Sequence, residues 1–175
     1  MTTALLIIDM QRALCTGEEA AFGIDQVLAR INGLIARARA AAVPIVLVQH
    51  EEDEGSLRHG SEGWQLADGL DVQAGDRRVR KTRPDSFHDT QLRQLLDDKD
   101  VQRLVVCGLQ SDFCVNATTR RAVELGYSVT LVADGHSTVD NDGRPAAGIS
   151  ADHNRTLATI GPRIEVVPAA TVSLR

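Results

Sequence analysis

The sequence has 175 residues, 43% of them hydrophobic and 25% charged, which suits one compact domain spanning 1–175 with its own core. A formal net charge of −5 excludes a nucleic-acid or anionic-membrane partner held by bulk electrostatics. No apolar run approaches a membrane span, and the opening "MTTALLIIDMQ" turns polar too soon for a signal peptide, so a cytoplasmic protein is expected.

In chain order, "TALLII" (3–8) is apolar on both faces, as a central parallel strand should be, and ends at Asp9. Ile24, Val27, Leu28, Ile31, Leu34, Ile35 and Ala38 recur at helical spacing and predict a helix over roughly 24–41. "VPIVLVQH" reads as a second strand ending near Gln49 and His50. From Glu51 to Arg80 the periodicity dissolves into a long excursion containing the only Trp, with room for a short strand near "RVRK". "DTQLRQLLDDK" predicts a helix capped by Asp89 or Thr90. "VQRLVVCG" is a strand. Residues 114–125 read as a helix closed by Gly126. "YSVTLVAD" is a strand, 146–160 a helix stopped by Gly161, and "IEVVP" the last strand. The alternation predicts a parallel sheet with helices on both faces, and no internal repeat or linker interrupts it.

Cys15, Cys107 and Cys114 are an odd set without CxxC spacing, which fits neither a disulfide framework nor a zinc site. Of 19 basic residues only Lys81 and Lys99 are lysine. A lysine retained within "RRVRKTRPDSF" points to a position that needs a compact ammonium.

In open parallel sheets ligands bind beyond the C-terminal strand ends. Asp9, Lys81 and Cys114 fall there. A helix N-terminus and an ammonium both stabilise a thiolate. A carboxylate can take the thiol proton and return it to a leaving group. Each residue also has a plainer explanation. Cysteines are often buried core, as Cys107 in "LVVCG" is read, an aspartate can cap a strand end, and a lysine can be a surface charge.

Three stretches, "LLIIDMQ", "KTRPDSFHDTQLRQLL" and "VVCGLQSDFCVNATTRRAVELGYSVTLVADGHST", resemble the cysteine hydrolases of the isochorismatase-like superfamily, in the right order over nearly the whole chain. The resemblance implies a three-layer α/β/α fold with a six-stranded, mostly parallel, Rossmann-like sheet. It implies a catalytic triad of Asp9, Lys81 and Cys114, a cis peptide at Leu109–Gln110, and an oxyanion hole built from the Gln110 and Cys114 amides. The activity it implies is hydrolysis of a C–N bond of a small amide or carbamoyl compound through a thioester, with no cofactor. The alternatives are an isochorismatase-type enol-ether hydrolase and a catalytically silent binding protein on the same fold. Nicotinamidases of this superfamily carry an Asp-x-His metal pair after the second strand. Here Gln49, His50 and Glu51 lack that spacing, His50 and His59 read as solvated loop residues, and no metal is expected.

Gln11, Trp64, Phe87 and Phe113 are candidate pocket-lining residues, and His136 is expected at the surface. The expected partner is a small-molecule substrate, and relatives imply a homo-oligomer, a dimer or tetramer. A redox-sensor role for Cys114 lacks a resolving cysteine, and a dinucleotide enzyme lacks G-x-G-x-x-G after the first strand.

Overall fold

The computed structural model describes all residues, Met1–Arg175. Six strands form one sheet: β1 (Thr3–Ile8), β2 (Ile45–His50), β3 (Arg77–Lys81), β4 (Arg103–Leu109), β5 (Ser128–Ser137) and β6 (Ile164–Val167). The helices are α1 (Arg12–Cys15), α2 (Ile24–Ala40), α3 (Leu92–Asp97), α4 (Asn116–Glu124) and α5 (Ala146–Leu157). Spatial order is β3-β2-β1-β4-β5-β6, and every pairing is parallel. The chain therefore builds outward from β1 to β3, then restarts on the other side of β1 with β4. That reversal opens a crevice beyond the ends of β1 and β4.

Alternation along the central strands divides the core. Leu5, Ile7, Leu47, Val105 and Cys107 join one cluster with Val27, Ile31, Leu34 and Ile35 of α2. Leu6, Ile8, Val46, Val48, Leu104 and Val106 join the other, with Leu92 and Leu96 of α3 and Ala122 of α4. This two-sided burial is why β1 and β4 read as continuous apolar runs rather than alternating ones.

Three local features differ from the sequence expectation. The short α1 has no periodicity to betray it. The helix expected from "DTQLRQLLDDK" spans only Leu92–Asp97, because the Thr90 hydroxyl accepts the Leu92 N–H while donating to the Ser86 carbonyl, which keeps Asp89 and Thr90 in the preceding turn. The helix expected from residue 114 is entered through a wider π-helical turn, Ser111–Val115. Gly126 follows α4 with φ +94°, the left-handed closure expected there.

Candidate active site

β1 delivers Asp9, whose own backbone is left-handed at φ 52°, a conformation aspartate tolerates better than most residues. β3 ends at Lys81, and β4 runs through a cis Leu109–Gln110 peptide into the π-turn that carries Cys114. Gly108 allows β4 and β1 to close up here. Its φ is +118°, and a Cβ would lie 2.1 Å from the Ile8 carbonyl oxygen. The loop after Lys81 is fixed to α4 because the Thr118 hydroxyl accepts the Ser86 N–H at 3.0 Å and donates to the Pro84 carbonyl.

These elements bring Asp9, Lys81 and Cys114 together. The Lys81 side chain is fully buried, with its ammonium 3.0 Å from Asp9 Oδ2 and 3.2 Å from Cys114 Sγ. Its third neighbour, His50 Nδ1 at 3.0 Å, was missed in the sequence. An ammonium has three N–H donors, and here three acceptors surround it. The donor atoms of Asp9, His50 and Cys114 lie within 4.8 Å of one another, close enough to share a cation, and the cation they surround is the ammonium. Asp9 Oδ1 is buried without a hydrogen-bond partner.

His50 is not the solvated loop histidine expected. It ends β2 as the register partner of Lys81. Burial first, and the Lys81 charge second, hold its pKa below the usual value. The neutral ring presents the Nδ1 lone pair to Lys81 and Nε2–H towards Glu52, 3.5 Å away.

Burial also sets the resting state of the nucleophile. The Cys114 thiol is pushed up to about 12, first by desolvation and then by the Asp9 charge, with Lys81 opposing. The resting site holds a protonated thiol, since removal from water outweighs the nearby ammonium.

The Gln110 carbonyl accepts from the Phe113 and Val115 amides and passes over the Cys114 amide between them. The π-turn is held from behind by a buried relay. The Asn154 amide donates to the Ala133 carbonyl, which leaves its oxygen to accept His136 Nε2–H at 2.7 Å. His136 Nδ1 then accepts from the Ser111 hydroxyl at 2.7 Å, and Ser111 lies 2.9 Å from the Ser150 hydroxyl. The expectation of a surface His136 is therefore overturned. It is 4% exposed, and burial lowers its pKa.

A cavity of about 310 Å³ opens over Cys114, walled by Leu14, Leu57, Pro84 and Phe113, with His50 and Glu52 on the same wall system. Of the four expected lining residues, only Phe113 is there. Gln11 is fully buried; its amide donates to the His50 and Trp64 carbonyls and accepts the His50 N–H, so it clamps the end of β2. Phe87 stacks on Tyr127, 5.8 Å between centroids, within the core face formed with α3. Trp64 packs edge-on to His59 and lines a different, larger cleft of about 660 Å³ beside β3. In all three cases side-chain direction, not sequence proximity to the site loops, decided the outcome.

The chain matches the family model described as Isochorismatase domain over residues 3–160. It is 41% identical to a streptothricin hydrolase of Streptomyces noursei across 95% of its own length, and spans only 62% of that relative. It is 28% identical to a ureidoacrylate amidohydrolase of Caulobacter vibrioides, over 76% of each. Among solved structures, a cysteine hydrolase from Pseudomonas syringae pv. phaseolicola superposes with a TM-score of 0.88 at 26% identity, covering 96% of this chain and 89% of the other.

Proposed function

The chain belongs to the isochorismatase family, and from that premise we propose that it is a cysteine hydrolase cleaving a C–N bond, amide or carbamoyl, of a small molecule. The observation that carries this reading is the Lys81 ammonium lying between Asp9 and Cys114 while Asp9 Oδ1 has no partner. The unpartnered oxygen is the acceptor for the thiol proton. As the proton leaves for Asp9, Sγ attacks the carbonyl carbon, and Lys81 stabilises negative charge on sulfur. The Gln110 and Cys114 amides receive the oxyanion, each such donor being worth about 10²–10³ in rate. Collapse of the tetrahedral intermediate breaks the C–N bond, and Asp9 returns its proton to the departing amine. Water, deprotonated by Asp9, adds to the thioester and releases the acid and the thiol. General acid–base work of this kind contributes about 10²–10⁴. The amidohydrolase and cysteine hydrolase among the similar proteins support the same bond class and nucleophile.

Intact-protein mass spectrometry during turnover of a small-amide panel tests this. The expected result is amine release with an acyl adduct on the wild-type chain that Cys114→Ala lacks. Release of pyruvate from an enol-ether substrate, without an adduct, would replace this reading by ether hydrolysis.

A further inference from the structure

The cavity over Cys114 carries an unmatched negative charge. Its walls are apolar at Leu14, Leu57, Pro84 and Phe113, and Asp9 is engaged by Lys81. Glu52, with its side chain 55% exposed, has only His50 Nε2 at ion-pair distance, and His50 is held neutral. The preceding residue shows the contrast. Glu51 has both carboxylate oxygens taken by Arg80, at 2.8 and 2.9 Å. Arg58 is the backbone bridge partner of Glu52, and no arginine or lysine nitrogen comes within ion-pair distance of the Glu52 carboxylate. Asp53 and Glu54, both exposed, extend the negative potential at the start of the same loop.

Most exposed carboxylates are simply solvated. Glu52 differs in position, because it lines the cavity that contains the nucleophile and lies one imidazole ring away from the Lys81 ammonium. In a largely apolar pocket a few placed polar groups orient the ligand. We propose that Glu52 is a specificity-determining residue that selects small amides bearing a cationic group, and that it disfavours anionic ones. This rests on the C–N hydrolase reading above. The cation of the substrate supplies the partner Glu52 lacks, while its apolar body lies against Leu57 and Phe113 and places the carbonyl over Cys114.

Three near-isosteric probes separate charge from shape: β-alanyl-4-nitroanilide (cationic), butyryl-4-nitroanilide (neutral) and succinyl-4-nitroanilide (anionic). The expected order of kcat/KM is cationic over neutral over anionic, with a cationic-to-neutral ratio of about two- to fivefold, the scale of a half-exposed ion pair. In Glu52→Gln that ratio falls towards one, and in Glu52→Lys the preference passes to the succinyl probe. A wild-type ratio near one, or a ratio unchanged in Glu52→Gln, overturns the proposal while leaving C–N hydrolysis intact. If no anilide is turned over, it is the anilide-cleaving activity that has failed. The charge preference is then read from calorimetric binding of β-alaninamide against butyramide to Cys114→Ala. Tighter β-alaninamide supports the proposal, and equal affinities overturn it.

Discussion

His50 Nδ1 lies 3.0 Å from the Lys81 ammonium, and the two residues are direct register partners across β2 and β3. Sheet pairing thus fixes the base end of a hydrogen bond that only a neutral imidazole can accept. Because burial and Lys81 lower the His50 pKa, the ring takes a proton only below the usual 6.5. Protonation sets two cations together and frees Lys81 from its third partner. The wild-type kcat/KM profile should therefore fall on the acid side of 6.5. His50→Gln, which keeps an acceptor that cannot titrate, should lose this limb. His50→Ala should lower kcat/KM about ten- to hundredfold, the scale of one hydrogen bond to a charged group. A limb with the same midpoint in His50→Gln would assign it to another group.

Asp9 raises the Cys114 pKa and is also the group assigned to accept its proton. The two roles predict opposite responses to Asp9→Asn. Removing the carboxylate charge lowers the thiol pKa from its value of about 12, so iodoacetamide should alkylate Cys114 faster at pH 8–9 than in the wild type. Turnover should fall by about 10²–10⁴ all the same, because the proton acceptor is gone. Parallel loss of alkylation and turnover would mean that Asp9 promotes the thiolate rather than opposing it.

The parts of this molecule legible in the sequence are those that repeat or lie at an edge. β1 and β4 were visible because both faces are buried, and Asp9 and Lys81 because each lies at a strand end. His50 obeys the same rule, being read at the end of the second strand, but a histidine before a polar run reads as solvated, and its contact with Lys81 follows only from the register of β2 on β3. Gln11, Trp64 and Phe87 were not legible, since their partners are the His50 backbone, His59 and Tyr127, and no spacing in the chain encodes those encounters. Charge neighbours of Cys114 such as Asp9 and Lys81 follow from topology, whereas the desolvation that dominates its pKa is a property of the packed fold that no spacing in the chain encodes.

His136 links stability to pH through the relay behind that turn. Its folded pKa lies below the unfolded value of 6.5, and so does that of His50. As pH falls from 6.5 the unfolded chain therefore binds protons first, and stability declines through the window between the unfolded and folded values. Urea midpoints should drop between pH 6.5 and 5. His136→Gln should be less stable at neutral pH by about 1–3 kcal/mol, since Ser111 or Asn154 loses its partner. Its midpoint should also depend less on pH, with His50 supplying the remainder. An unchanged slope would place the linkage elsewhere.

Gly108 joins fold and chemistry most directly, and a second glycine supplies the control. At Gly108 an added Cβ meets the backbone of Ile8 on β1, 2.1 Å from its carbonyl oxygen and 2.6 Å from its nitrogen, at a φ of +118°. Neither contact can be relieved by a side-chain rotation, so Gly108→Ala must push β4 away from β1. That displacement separates the strand bearing Asp9 from the strand leading into Cys114. The variant should lose about 3 kcal/mol or more of stability. Whatever fraction folds should lose turnover out of proportion to substrate affinity. Gly33, exposed in the middle of α2 with nothing within 4 Å of its added Cβ, has the opposite requirement. Gly33→Ala should raise stability by about 0.5–1 kcal/mol through helix propensity alone, with turnover unaltered. Denaturant midpoints together with kcat for the two alanine variants decide the matter. A Gly108→Ala protein with wild-type kcat would show that the approach of β4 to β1 does not set the Asp9–Cys114 geometry.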